Sequence, residues 1–93
     1  MNKVYVLQNS WHTDDSGCDF GIVGVFSSLE RAKEEMKKNI ADEIACDCGL
    51  FESGEPKEGV IVDEDSTSWC AFEDGEYLLN SCEYKITEEY IYD

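Results

Sequence analysis

The stretch Phe20-Gly21-Ile22-Val23-Gly24-Val25-Phe26-Ser27-Ser28-Leu29-Glu30-Arg31-Ala32 carries a strand directly into a helix, and that junction decides the fold. Its first seven residues are apolar or glycine and read as a strand. Ser27 with Glu30 three residues later forms a capping box. Beyond it, Leu29, Ala32, Met36, Ile40 and Ile44 fall within an arc of about 120° at ~100° per residue, an amphipathic stripe. Arg31, Glu34, Glu35 and Lys38 take the outer face, and Gly49 is a natural stop.

On the N-terminal side, residues 3–9 read as a strand, with Val4 and Val6 on one face and Tyr5 and Leu7 on the other. Thr13-Asp14-Asp15-Ser16-Gly17 is a turn cluster, which makes residues 20–26 the hairpin partner of that strand. On the C-terminal side, residues 59–62 read as a short strand. Residues 68–72 and 77–80 flank Glu73-Asp74-Gly75-Glu76, whose Asp-Gly centre signals a two-residue hairpin. Residues 84–92 form a last strand. The expected order is ββα followed by three or four strands. The expected fold is α+β: one domain over residues 1–93, an antiparallel sheet of about five strands with one amphipathic helix packed across it.

With Asp74-Gly75 as the loop, Phe72 pairs with Tyr77, Ala71 with Leu78 and Cys70 with Leu79. One face then carries Cys70, Phe72, Tyr77 and Leu79, and the other Trp69, Ala71 and Leu78. Both faces are apolar, whereas such a sheet ordinarily shows a polar outer face. One helix cannot cover both sides. A loop or another molecule must share the covering, which points to an interaction surface.

Charge is the dominant feature of the composition. Twenty-two carboxylates face seven Lys or Arg, for a net charge of −15. Residues 1–41 hold six acids and five bases; residues 42–93 hold sixteen acids and only Lys57 and Lys85. Four of the bases, Arg31, Lys33, Lys37 and Lys38, crowd into one short stretch. Such a field repels nucleic acid and anionic membranes and attracts basic protein surfaces. Solubility alone would need a net charge of only about 2–8. The first residues turn polar at Gln8-Asn9-Ser10, so no signal peptide is expected, and no apolar run approaches the ~20 residues that cross a bilayer. Five cysteines without an export signal fit reduced thiols in the cytoplasm of a bacterial host.

Little of the sequence points to catalysis. His12 is the one histidine and has no positioned nucleophile, while Ser27-Ser28 is accounted for as a helix cap. No nucleophile elbow or phosphate-binding glycine loop is present, and the expectation is a non-enzyme. Metal is a second possibility. Cys46-Asp47-Cys48 lies at the helix end, and Cys18, Cys70, Cys82 or His12 could complete a tetrahedral Zn²⁺ site. The Cys-x-Cys spacing is cramped for such a chelate, and reduced core thiols are the alternative. Asp63-Glu64-Asp65 lacks the alternating ligands and closing glutamate of an EF-hand loop.

The acids could themselves be the chemistry. Carboxylates spread over a rigid sheet can imitate nucleic-acid phosphates and occupy a basic channel. The residues expected to bind a partner are Asp63, Glu64, Asp65, Trp69, Phe72, Glu73, Asp74, Glu76 and Tyr77, with Tyr5 adding aromatic contact.

Two segments, Lys3-Val4-Tyr5-Val6-Leu7 and Gly24-Val25-Phe26-Ser27-Ser28-Leu29-Glu30-Arg31-Ala32, resemble the opening of small domains from bacteria and their phages, in which a hairpin runs into a capped helix. That resemblance covers about the first third of the chain and carries no activity to transfer. In size and acidity the chain is similar in type to phage anti-defence inhibitors, anti-CRISPR proteins among them, and to small immunity proteins. The similarity implies an inhibitor that occupies a basic, nucleic-acid-handling partner. The alternatives are a housekeeping or immunity-type interaction module, monomeric or homodimeric, and a small zinc-binding domain.

Overall fold

The computed structural model describes residues 2–13, 17–45, 50–73 and 81–91. β1 (Asn2–Thr13) and β2 (Gly17–Phe26) form the expected hairpin and lead into α1 (Leu29–Ala45). β3 (Phe51–Glu52) and β4 (Glu55–Pro56) make a small separate hairpin. β5 (Val60–Asp65), β6 (Ser68–Glu73) and β7 (Ser81–Ile91) complete an antiparallel five-stranded sheet ordered β2-β1-β7-β6-β5. The chain is therefore α+β, with α1 packed across one face of the sheet. Among the described residues, no helix is long and apolar enough to cross a membrane.

The helical stripe packs as its periodicity requires. Ala32 and Met36 are buried, and Leu29, Ile40 and Ile44 are half-buried against the same core. The helix begins one residue later than the capping box implies. Ser28 Oγ accepts the Arg31 N–H at 3.2 Å, and the Ser28 carbonyl accepts the Ala32 N–H at 3.2 Å. Ser28 is thus the N-cap, while Ser27 makes the bend out of β2. Glu30 falls within the first turn, where a carboxylate still suits the helix dipole.

β1, β6 and β7 alternate about this core. Leu7 of β1, Trp69 and Ala71 of β6, and Cys82, Tyr84 and Ile86 of β7 all face the helix side and are buried. Leu50 and Phe51 close the core from the β3–β4 hairpin. The Phe51 and Trp69 rings stack with centroids 6.0 Å apart and planes 21° from parallel, and Tyr84 tilts against Trp69 at 6.1 Å. Ser53 (φ 54°) and Gly54 (φ 81°) both have positive φ, which is what a two-residue type I′ turn requires between Glu52 and Glu55.

The register of β6 differs from the one that Asp74-Gly75 suggests. Ala71 lies opposite Cys82 instead of Leu78, and Cys70 opposite Glu83 instead of Leu79. Burial decides the matter, because this pairing sets Trp69 over Tyr84 and Ala71 over Cys82 on the helix side. Asp74, Glu76 and residues 77–80 lie outside the described residues, as do Gly49 and residues 14–16 of the turn cluster.

β2 is bulged. Val25 lies opposite Val6 and Gly24 opposite Leu7, but Ile22 lies opposite Gln8, so Val23 is an extra residue. The half-buried Phe26 ring then lies across Gly24 and joins the core.

Candidate functional site

α1 covers one face of the sheet, and the other face shows its side chains in cross-strand rows. One row runs Asp63 (β5), Cys70 (β6), Glu83 (β7), Ser10 (β1) and Phe20 (β2). The next runs Asp65, Ser68, Lys85, Gln8 and Ile22. Ile61, Phe72, Ser81 and His12 form the row at one end, and Thr87, Val6 and Val25 lie toward the other. The Asp63 and Asp65 rows grade from carboxylate at the β5 edge to apolar at the β2 edge, whereas the Ile61 row runs the other way, from Ile61 and Phe72 to Ser81 and His12.

On this face the β1 and β2 positions hold no Asp, Glu, Lys or Arg, whereas β5 and β7 place Asp63, Asp65, Glu83 and Glu89 there against Lys85. On β2, Phe20 is 73% exposed, Ile22 63% and Val25 57%. On the acidic side, Asp63, Glu64, Asp65, Ser68, Cys70 and Glu83 line a shallow cleft of about 290 Å³. Within it the Cys70 thiol is pushed above its ordinary range, first by burial and then by the neighbouring Glu83 and Asp63 carboxylates. The tip between β5 and β6 is pinned by Asp65, whose Oδ1 accepts the Ser66 N–H at 2.6 Å.

A second, larger groove of about 480 Å³ lies between α1 and this tip. Lys33 and Lys37 line its helix wall, Glu64 and Asp65 the opposite wall, and Met36, Ile40 and Trp69 its apolar part. At the far end of the sheet, Lys3 Nζ meets Glu88 Oε1 at 2.9 Å and lies 5.9 Å from the Tyr90 ring centre. The hydrogen bond to Glu88 raises the Lys3 ammonium above its usual range.

The structure separates the residues expected to bind a partner. Asp63, Glu64 and Asp65 are exposed on β5, and Phe72 and Glu73 are half-buried on β6, with Phe72 on the uncovered face. Trp69 is not available for contact. It is 3% exposed and forms the centre of the aromatic stack, because β6 turns its odd-numbered residues toward α1. Tyr5 likewise packs against the core from the helix side. Asp74, Glu76 and Tyr77 lie outside the described residues.

The candidate metal ligands do not converge where they are described. Cys82 is buried on the helix side and accepts a hydrogen bond from Asn9 Nδ2 at 3.8 Å, while Cys70 faces the opposite side of the sheet. His12 lies on β1, two strands away from Cys70. Among the described residues, no group of three or more His, Cys, Asp or Glu side chains is placed to hold a metal ion. Cys46 and Cys48 lie outside those residues, and the Cys18 side chain is not described.

Phe20, Ile22 and Val25 were not anticipated as surface residues. The available signal was a seven-residue stretch with no charge and no polar alternation, the pattern of a strand apolar on both faces, of which a single helix covers one.

Sheet, helix and uncovered face together define a small α+β domain of antiparallel type. The chain belongs to the family described as Domain of unknown function (DUF7336), which matches residues 2–91. No curated protein and no solved structure matches it.

Proposed function

We propose that this chain is a non-enzymatic binding protein that docks the uncovered face of its sheet against a basic protein surface. The observation that carries this reading is the graded face: exposed Phe20, Ile22 and Val25 at the β2 edge, Asp63 and Asp65 at the β5 edge, and Glu83 on the central strand β7. Exposed ion pairs contribute only ~0.2–1 kcal/mol each. The apolar edge therefore supplies most of the contact energy, and the carboxylates supply selectivity and rate of association. The favoured partner class is a nucleic-acid-handling protein, whose basic channel the rigidly spaced carboxylates fill in place of phosphates. The chain then acts as an inhibitor of phage or mobile-element type, working in the cytoplasm of a bacterial host.

The test is capture of partners from bacterial lysate on the immobilised chain in low and high salt, with heparin as competitor. A partner released by about 0.5 M salt and displaced by heparin is expected. The Asp63→Asn/Asp65→Asn/Glu83→Gln variant should retain less of it. Binding indifferent to salt, heparin and these substitutions would refute the proposal.

A further inference from the structure

Independently of that reading, we propose that the groove between α1 and the β5–β6 tip binds a small apolar zwitterion, an apolar amino acid or short peptide with both termini free. Its volume of about 480 Å³ falls within the ~300–1,000 Å³ of small-molecule sites. Lys33 and Lys37 stand one helical turn apart on one wall, and Glu64 and Asp65 stand on the other. Glu64 lies opposite Trp69 in the β5–β6 register, which puts it on the helix side of the sheet. Buried Met36 and Trp69, with half-buried Ile40, form the apolar part. The two walls carry opposite charge yet do not meet: among the described residues, no ion pair joins them.

Charge selects the ligand. An anion would find the lysines, but it would also meet Glu64, Asp65 and the field of a chain of net charge −15. A cation would find the carboxylates and be opposed by Lys33 and Lys37. A molecule of no net charge, with a carboxylate for the helix wall and an ammonium for the tip, is opposed by neither. Like charges four residues apart on a helix repel, and a carboxylate set between Lys33 and Lys37 relieves that repulsion. Met36 and Ile40 favour an apolar side chain on the ligand and penalise a polar one left without a hydrogen bond. Ser66 and Ser68, which also line the groove, supply hydroxyls for a peptide group.

The test is a titration of the isotope-labelled chain with leucyl-leucine and, separately, with leucine, followed by amide NMR shifts. A small ligand in an open groove binds weakly, so a Kd on the order of 0.1–1 mM is expected. The shifts should centre on residues 33–40 and 64–69. N-acetyl-leucyl-leucine and leucyl-leucine amide each lack one charge and should bind at least several-fold more weakly than the dipeptide. Glycyl-glycine, which lacks the apolar body, should bind more weakly still. Lys33→Gln/Lys37→Gln should weaken dipeptide binding about tenfold, and Glu64→Gln several-fold. The amide spectrum itself shows that each variant is folded. None of these three residues is altered in the test of the uncovered face, so either proposal can fail while the other stands. Whichever of leucine and leucyl-leucine binds tighter identifies the source of the ligand. Saturable shifts with neither up to about 10 mM, equal binding by the two blocked derivatives, or undiminished binding by the folded variants would each overturn the proposal.

Discussion

The ring of Phe26 lies over Gly24, so near that a Cβ at position 24 would stand 2.8 Å from Phe26 Cζ. Gly24→Ala must therefore push aside a ring that packs against the core. A loss of about 1–3 kcal/mol is expected, read from the urea midpoint. Gly21→Ala, where nothing lies within 4 Å, is the control and should change stability by less than about 0.5 kcal/mol. Equal losses at both positions would show that the ring is not the cause.

The two serines after β2 make separate predictions. Ser28→Ala removes the hydroxyl that accepts the Arg31 N–H and should cost about 1 kcal/mol. Ser27→Ala should change stability by no more than about 0.5 kcal/mol. Thermal unfolding of the two variants side by side distinguishes them; the reverse order would move the cap back to Ser27.

Phe51 comes from a two-residue strand yet is 2% exposed and stacks on Trp69. Phe51→Ala should cost about 3–5 kcal/mol. That is a large part of the ~5–15 kcal/mol a small domain has. Denaturant titration followed by tryptophan fluorescence measures it, and a loss below about 1 kcal/mol would place the β3–β4 hairpin outside the cooperative core.

Burial and the carboxylates of Glu83 and Asp63 hold the Cys70 thiol above its ordinary range. At pH 8 less of it is thiolate in the folded chain than in the unfolded one, so iodoacetamide should label it more slowly in the folded protein. Asp63→Asn/Glu83→Gln should speed the labelling, read peptide by peptide in a mass spectrometer. The linkage has a definite sign. A pKa raised on folding gives stability that is complete below the unfolded thiol value and is lost as pH climbs through the folded one. Stability should thus decline above about pH 8.5, and Cys70→Ser should flatten part of that decline.

Much of the fold was legible because it is written locally. Leu29, Ala32, Met36, Ile40 and Ile44 lie on one helical arc whatever the helix packs against. The cap was ambiguous by one residue because two serines adjoin, and only the path of the chain out of Phe26 chooses between them. The β6 register was misread because Asp74-Gly75 is a strong local signal, whereas the pairing of Trp69 with Tyr84 reflects burial across the whole sheet. The Glu52-Ser53-Gly54-Glu55 turn went unread, since its serine takes a positive φ that Gly or Asn ordinarily supplies. For the candidate site, the excess of acid was plain from composition. That Asp63 and Glu83 flank Cys70, and that Phe20 and Ile22 stand at an edge, depends on strand order, which no local pattern encodes.

The longest pairing in the sheet joins β1 to β7, from Asn2 opposite Ile91 to His12 opposite Ser81. These contacts are about as far apart in sequence as the chain allows, so the ordering entropy of nearly every residue must be met before they form. The β1–β2 hairpin and α1 can assemble early, but the core position of Leu7 is completed by Ile86 and Tyr84 only once residues 81–91 are present. On a translating ribosome the domain therefore waits for its last strand, and until then the apolar sides of β1 and β2 stay open to whatever meets them first.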